Sequence, residues 1–268
     1  MEVKKMQISR TCYDFNSAIV RQPSPSVVNG LRADDRGNPD YDGVKLEHEA
    51  YVKALETAGM AVTVLPALDA YPDSIFVEDP ALVFSEGAIL LRPGAASRQG
   101  ETKEIAPALH DHFNTVLELG GGYADGGDIL VTPDSVKIGL SARTDLAGAN
   151  KLIDQLKKLG HKGEIVNTPK GVLHFKTACS LLDEETIIVT RYMSESGLFE
   201  GFRNMILPEG EEPAANALRI NETVLISAKY KRTIDMLDQA GFSVVPVNAA
   251  EIEKIDAGLS CMSLRWFA

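Results

Sequence analysis

The sequence predicts an α/β fold built from repeated hairpin–helix–strand modules set about a central axis, and three observations carry that expectation. First, one phrase recurs. Leu55-x-x-x-Gly59 precedes Val62-Thr63-Val64, Leu156-x-x-x-Gly160 precedes Glu164-Ile165-Val166, and Leu237-x-x-x-Gly241 precedes Val244-Val245-Pro246-Val247. Each reads as a helix that runs out at a glycine and gives way to a strand. Second, the intervening runs look like β-hairpins with polar turns. Third, the last residues alternate as a strand does, with Met262, Leu264 and Trp266 against Ser263, Arg265 and Phe267. Self-similarity at a period of roughly 40–50 residues marks repeat architectures, propellers among them, and would bring the loops of distant modules to one centre.

In chain order, residues 7–21 read as a strand ending at Ile19-Val20. Residues 21–43 are polar and carry Pro23, Pro25, Gly30, Gly37 and Pro39. So long a connection is either disordered or a functional lid. Residues 44–58 place Val44, Tyr51, Leu55 and Ala58 at helical spacing, and residues 61–65 follow as a strand. Hairpins are expected over 81–91 around Ser85-Glu86-Gly87, 129–140 around Thr132-Pro133-Asp134, 179–189 around Asp183-Glu184-Glu185, and 218–226 around Asn221-Glu222. The C-terminal strand, paired with the N-terminal one, would supply a fifth hairpin-like unit. No linker divides residues 1–268, so one domain is expected.

A chain of 268 residues can bury a core without disulfide staples. Cys12, Cys179 and Cys261 show no C-x-x-C spacing, and reduced thiols in a cytoplasmic protein are the natural reading. No stretch approaches the ~20 apolar residues of a membrane span. With a net charge of −11, most surfaces would repel nucleic acid and anionic lipid, whereas a small cation would be attracted.

Four clusters carry chemistry. Cys261 stands just after a glycine-containing turn and opens the C-terminal strand; a cysteine taken alone is more often a buried structural residue. Asp73, Glu78 and Asp79 lie in an otherwise apolar run, where crowded carboxylates call for a compensating cation. Gly120-Gly121-Gly122-Tyr123-Ala124-Asp125-Gly126-Gly127-Asp128 leads into a strand, so no helix N-terminus is there to receive a phosphate. Two acids flanked by glycines suit a tight approach to a partner side chain or ligand. His174 lies in an apolar run; paired with an acid such as Asp125 it would be an oriented acid–base of the Cys-His-Asp type. The five histidines and three cysteines lack paired ligand spacings, so no metal site is expected. Cys12 and Cys179 read as structural.

Phe76-Val77-Glu78-Asp79-Pro80, Arg92-Pro93-Gly94-Ala95-Ala96-Ser97-Arg98, Asp125-Gly126-Gly127-Asp128, Gly139-Leu140-Ser141-Ala142-Arg143-Thr144, Leu173-His174-Phe175-Lys176 and Leu259-Ser260-Cys261-Met262-Ser263 resemble the successive motifs of the dimethylarginine dimethylaminohydrolases. That family belongs to the guanidino-group-modifying superfamily, with the arginine deiminases and amidinotransferases. The resemblance runs from about residue 19 to the C-terminus. It implies a five-module ββαβ propeller with pseudo-fivefold symmetry, the pentein type. Position by position, it implies Cys261 as nucleophile, His174 as acid–base and Asp125 as the acid that orients it. Asp73, Glu78 and Asp79 match carboxylates near the substrate guanidinium, Glu78 mainly as support for its neighbours, and Asp256 a further acid near the substrate. Arg98 and Arg143 match residues that grip the substrate carboxylate, and Leu31 falls in the loop that closes over the site. Some relatives have Glu where this chain has Asp125.

The physics fits such an assignment. A guanidinium is planar and remains cationic, with a pKa above ~12, and flanking carboxylates can fix its plane by paired charge-assisted hydrogen bonds. The resemblance implies a methylated-arginine substrate, citrulline and an amine as products, and no cofactor. Acidic neighbours should keep the free Cys261 mostly thiol until a bound guanidinium shifts it. An arginine deiminase-like hydrolase of another guanidine is the nearest alternative, and a non-catalytic binder on the same scaffold a more distant one. An exposed edge strand leaves room for a homodimer.

Overall fold

The recurring Leu-x-x-x-Gly phrase works through one local geometry. Gly59, Gly160 and Gly241 adopt φ of 94°, 86° and 91°, the left-handed region that glycine enters without steric penalty. In each case two backbone bonds close the helix end. The glycine N–H donates to Glu56, Lys157 or Asp238, and the next N–H reaches back to the leucine carbonyl of Leu55, Leu156 or Leu237. This is the Schellman arrangement. All three leucines are fully buried, so the same residue that anchors the helix to the core also accepts the bond that ends it.

The computed structural model describes residues 11–33 and 35–268. Its strands and helices are β1 (Ser17–Arg21), α1 (Tyr41–Thr57), β2 (Ala61–Leu65), β3 (Ala81–Phe84), β4 (Gly87–Leu90), α2 (Glu101–His112), β5 (Val116–Glu118), β6 (Ile129–Val131), β7 (Val136–Leu140), α3 (Leu146–Lys158), β8 (Gly163–Asn167), β9 (Cys179–Leu181), β10 (Thr186–Val189), α4 (Arg191–Ser194), β11 (Arg203–Ile206), β12 (Leu218–Ile220), β13 (Thr223–Ser227), α5 (Lys231–Gln239), β14 (Ser243–Val247) and β15 (Leu264–Trp266). They form three-stranded sheets of order β3-β4-β5, β6-β7-β8, β9-β10-β11, β12-β13-β14 and β15-β1-β2. In every sheet the first pair is antiparallel and the second parallel, with the helix in the crossover. The chain is therefore a five-module ββαβ fold, and the expected hairpins fall where the sequence places them.

The modules close into a ring. Each junction between neighbours is filled by its own apolar cluster. Ile89 and Leu91 of the first module pack with Ile138 and Leu152 of the second, and Leu130 of the second joins Phe175 and Ile187 of the third. Ile188 and Met205 meet Val224 and Leu237 of the fourth, and Leu225 meets Ala18 and Tyr51 of the fifth. Leu264 and Trp266 complete the circuit against Val83, Ile105 and Phe113 of the first module.

Three details differ from the sequence reading. Strand β1 begins at Ser17; the expected start at 7–10 lies outside the described residues. Helix α1 begins at Tyr41 rather than Val44, because the Asp40 side chain caps it by accepting the Gly43 N–H at 2.8 Å. Helices α2 and α4, with strands β5 and β11, were not anticipated. α2 contains Pro107 and passes into extended Phe113 with no terminal glycine, while α4 is a single turn capped by Thr190. Among the described residues no helix is long and apolar enough to cross a membrane.

Ring closure predicts a stability effect. Trp266 is 3% exposed and lies 4.9 Å from Phe113, ring to ring. Urea denaturation of Trp266→Ala should show a loss of about 3–5 kcal/mol, whereas Val245→Ala on an exposed site should stay within about 0.5 kcal/mol of the parent.

Candidate active site

Cys261 lies on a 3-10 turn, Leu259–Met262, immediately ahead of β15. Two contacts set that turn. Asn216 lies so close to Gly258 that a Cβ there would meet its side chain at 2.3 Å, and Asn216 Oδ1 accepts the Ser260 N–H at 3.0 Å. On the other side the Cys261 carbonyl accepts the Glu78 N–H at 3.1 Å. The thiol residue is 9% exposed.

The glycine-rich loop brings His174 and Asp125 together. A Cβ on Gly126 would lie 1.9 Å from the Glu78 carbonyl, and one on Gly127 would lie 2.8 Å from His174 Nδ1. Only bare backbone allows residues 78–79, the loop and the imidazole to pack in this way. His174 Nε2 then stands 3.1 Å from Asp125 Oδ2, and Asp125 Oδ1 accepts the Gly94 N–H at 2.7 Å. Asp79 joins the group by accepting the Gly127 N–H at 2.9 Å.

Arg98 is the cation that crowded carboxylates require. It is 4% exposed and binds Asp79 through Nη1, and Glu101 through Nε at 3.0 Å and Nη2 at 2.7 Å. Its Nη2 also donates to the carbonyls of Phe76 and Asp73, at 2.9 and 3.2 Å. Glu78 has separate partners: Lys176 at 2.5 Å, Arg265 at 3.2 Å and the Ser260 hydroxyl at 3.2 Å. A cavity of about 1520 Å³ is lined by Glu78, Lys176, Ser260 and Arg265 but by none of Cys261, His174 and Asp125, so this group separates it from the thiol side.

These charges set the protonation states. Burial pushes the Cys261 thiol up, and the Glu78 and Asp79 charges push it further, to about 12; a backbone hydrogen bond from Gly258 and the Lys176 charge act the other way. Burial alone would lower His174. The Asp125 hydrogen bond and the charges of Asp79, Asp128 and Asp125 outweigh it and raise the imidazole to about 9. Burial raises Asp73, whereas Arg98 and His174 overcome burial at Asp79 and hold it below the usual carboxylate range. At neutral pH these directions leave Cys261 a thiol and His174 protonated.

The remaining expected residues are less deeply buried. Leu31 is 38% exposed and donates its N–H to Asp73 Oδ1 at 2.9 Å. Asp256 has a left-handed backbone, φ 54°, and accepts the Ala33 N–H while standing 3.9 Å from Arg36. It therefore ties the 30–40 segment to the turn that precedes Cys261. Arg143 is part-exposed, with Nη1 4.0 Å from Asp125 Oδ2. Asp79, Asp125 and His174 offer metal-type ligand atoms within 4.8 Å of one another. Each of these carboxylates already accepts hydrogen bonds, Asp79 from Arg98 and Gly127, and Asp125 from Gly94 with His174 at its other oxygen.

Sequence reasoning gave Glu101 and Lys176 no role, and took Asp128 only as one of two acids suited to a close approach. Each carried a local signal. Glu101 stands three residues after Arg98, Lys176 two after His174, and Asp128 closes the glycine-rich loop.

The family model described as arginine deiminase matches residues 67–204. The N(G),N(G)-dimethylarginine dimethylaminohydrolase of Pseudomonas aeruginosa is 39% identical over 94% of this chain and 100% of its own length. That of Streptomyces coelicolor is 35% identical over 92% of this chain and 96% of its own. The solved structure of the P. aeruginosa enzyme, as a Cys-to-Ser mutant complexed with citrulline, superimposes with a TM-score of 0.91 at 38% identity, covering 94% of this chain and 100% of that one. Fold and sequence agree: the chain belongs to the dimethylarginine dimethylaminohydrolase family, within the arginine deiminase group of pentein-fold hydrolases.

Proposed function

We propose that the protein hydrolyses Nω-methylated and dimethylated L-arginine to L-citrulline plus methylamine or dimethylamine, through a covalent thiouronium on Cys261. What supports this reading is the His174–Asp125 pair, with Asp79 held against the same loop and its charge felt by the buried Cys261 thiol. Such a pocket suits a planar cation, and its relatives bear the name of that reaction.

The roles follow from the chemistry. Asp73 and Asp79 hold the guanidinium plane, which aims its central carbon at sulfur. The bound cation and the protonated His174 draw the thiol toward thiolate, offsetting the acidic neighbours. Sulfur attacks the guanidino carbon, and the tetrahedral adduct expels the amine, which takes its proton from His174. His174 then removes a proton from water; the hydroxide adds to the thiouronium carbon, the C–S bond breaks, and citrulline leaves with the thiolate regenerated. Asp125 stabilises the imidazolium throughout. Glu78 supports the Cys261 turn, and Asp256 holds the Leu31 segment over the pocket. Arg98 and Arg143 are the cations for the substrate carboxylate. Arg98 would have to release Asp79 or Glu101 to reach a ligand, which leaves Arg143 the readier of the two.

The shared apolar junctions support a single domain over residues 1–268, and the three free cysteines a cytoplasmic setting. The acidic charge speaks against nucleic-acid or anionic-membrane partners. The outer edge of β2, with Val64 exposed, offers a surface for a homodimer. The match to the arginine deiminase model makes arginine itself the second substrate to test.

Citrulline and dimethylamine released from asymmetric dimethylarginine, and lost in Cys261→Ala, is the expected result; ammonia released from arginine instead would move the protein to the deiminase reading, and citrulline still formed by Cys261→Ala would overturn the mechanism. Arg143→Ala should raise KM roughly tenfold or more while changing kcat less. The pH profile carries the electrostatics: kcat/KM should decline above about pH 9 as His174 loses its proton. Thiolate absorbance of the free protein, corrected with Cys261→Ala, should be absent at pH 7; an ionised free thiol there would contradict the assignment.

A further inference from the structure

Asp128 belongs to none of the roles above, yet its carboxylate is buried completely and fully engaged. Its Oδ1 accepts the Phe175 N–H at 2.9 Å, fixing the residue next to His174. Its Oδ2 accepts the hydroxyls of Ser141 at 2.6 Å and Thr144 at 2.7 Å. Those hydroxyl oxygens then accept backbone N–H groups in turn. Thr144 Oγ1 receives the Asp125 N–H at 3.1 Å, and Ser141 Oγ receives the Arg143 N–H at 2.9 Å. From these contacts we infer that Asp128 is a positioning residue, one carboxylate that holds His174, Asp125 and the Arg143 loop in a single register across the second and third modules.

An ionised carboxylate is what this position calls for. Three donors converge on it, and a carboxylate is an acceptor at every lone pair. An amide in its place would set an N–H₂ against either the Phe175 N–H or the two hydroxyls, whose protons would then have to turn away. The charge also matters to the imidazole. The groups acting on His174 are Asp125, Asp79 and Asp128, with Arg143 standing behind Asp125, and Asp128 helps to hold the proton on the ring. Asp128 touches no reacting atom in this scheme, so it acts through His174 and Asp125.

The kinetic arm of the test rests on the hydrolase reading; the titration arm does not. His174 is followed by NMR of labelled imidazoles in the wild type, Asp128→Asn and Glu47→Gln. Glu47 is the control because it is a buried carboxylate with a structural role in the fifth module, accepting the N–H groups of Glu251 and Ile252. In folded Asp128→Asn, His174 should titrate at lower pH than in the wild type, and kcat should fall roughly 10- to 100-fold with KM within about threefold. Glu47→Gln should lower Tm and leave the His174 titration in place. If Asp128→Asn does not fold, Thr144→Val, which cuts the link to Asp125 and keeps the charge, should still lower kcat at near-constant KM. Wild-type titration and kcat in folded Asp128→Asn, or wild-type kcat in Thr144→Val where that variant is the one read, would overturn the inference. A wild type that forms no citrulline would instead remove the hydrolase reading, while the imidazole titration still reports on Asp128.

Discussion

Carboxylate burial at the centre of the ring is the constraint on which the rest of the structure depends. Asp73, Glu78, Asp79, Glu101, Asp125 and Asp128 are each no more than 5% exposed. Isolated, such groups would cost several kcal/mol apiece to bury as ions. Arg98 compensates one side of the group, Lys176 and Arg265 another, and the protonated His174 a third. Even so, the Glu78 and Asp79 charges still push the Cys261 thiol up. On the proposed function, a bound guanidinium would add a cation to this group and draw the Cys261 thiol toward thiolate. The ring of modules serves this arrangement because loops before β3, before β6, before β9 and before β15 all deliver residues to one place.

Much of this was legible in the sequence, for identifiable reasons. Three of the helix ends announced themselves because the Schellman geometry requires a left-handed residue, and Gly59, Gly160 and Gly241 supply it. The hairpins showed in their alternation and turn residues. Helices α2 and α4 did not. Pro107 and extended Phe113 mask the first, and one turn of helix is too short to show a 3.6-residue period in the second. The site was half visible. The glycine-rich loop did indicate a close approach, now seen against Glu78 and His174, but no sequence rule names the donors that meet Asp128 from residues 141, 144 and 175. Such contacts arise only once modules are packed, and a period-based reading is blind to them.

Among the described residues, the segment from Leu31 to Asp40 is tied to the rest of the chain largely by polar contacts, Arg36 reaching the Glu253 carbonyl and Asp256 among them. Asp73 takes the Leu31 N–H, Asp256 the Ala33 N–H and Glu251 the Asp40 N–H. Most of its side chains are exposed, so little apolar burial opposes its release. On the proposed role of Asp73 as a guanidinium partner, a ligand cation and the Leu31 amide would draw on the same carboxylate. Substrate binding and the position of this segment would then be coupled through one side chain.

The most direct test of the account is to trap the covalent state. The protein is mixed with asymmetric dimethylarginine, quenched in acid within the turnover time, digested and mapped by mass spectrometry. The account predicts an adduct on the Cys261 peptide with the mass of the substrate less dimethylamine, absent from the Cys12 and Cys179 peptides. Turnover with no adduct under these conditions, or an adduct on either other cysteine, would contradict it.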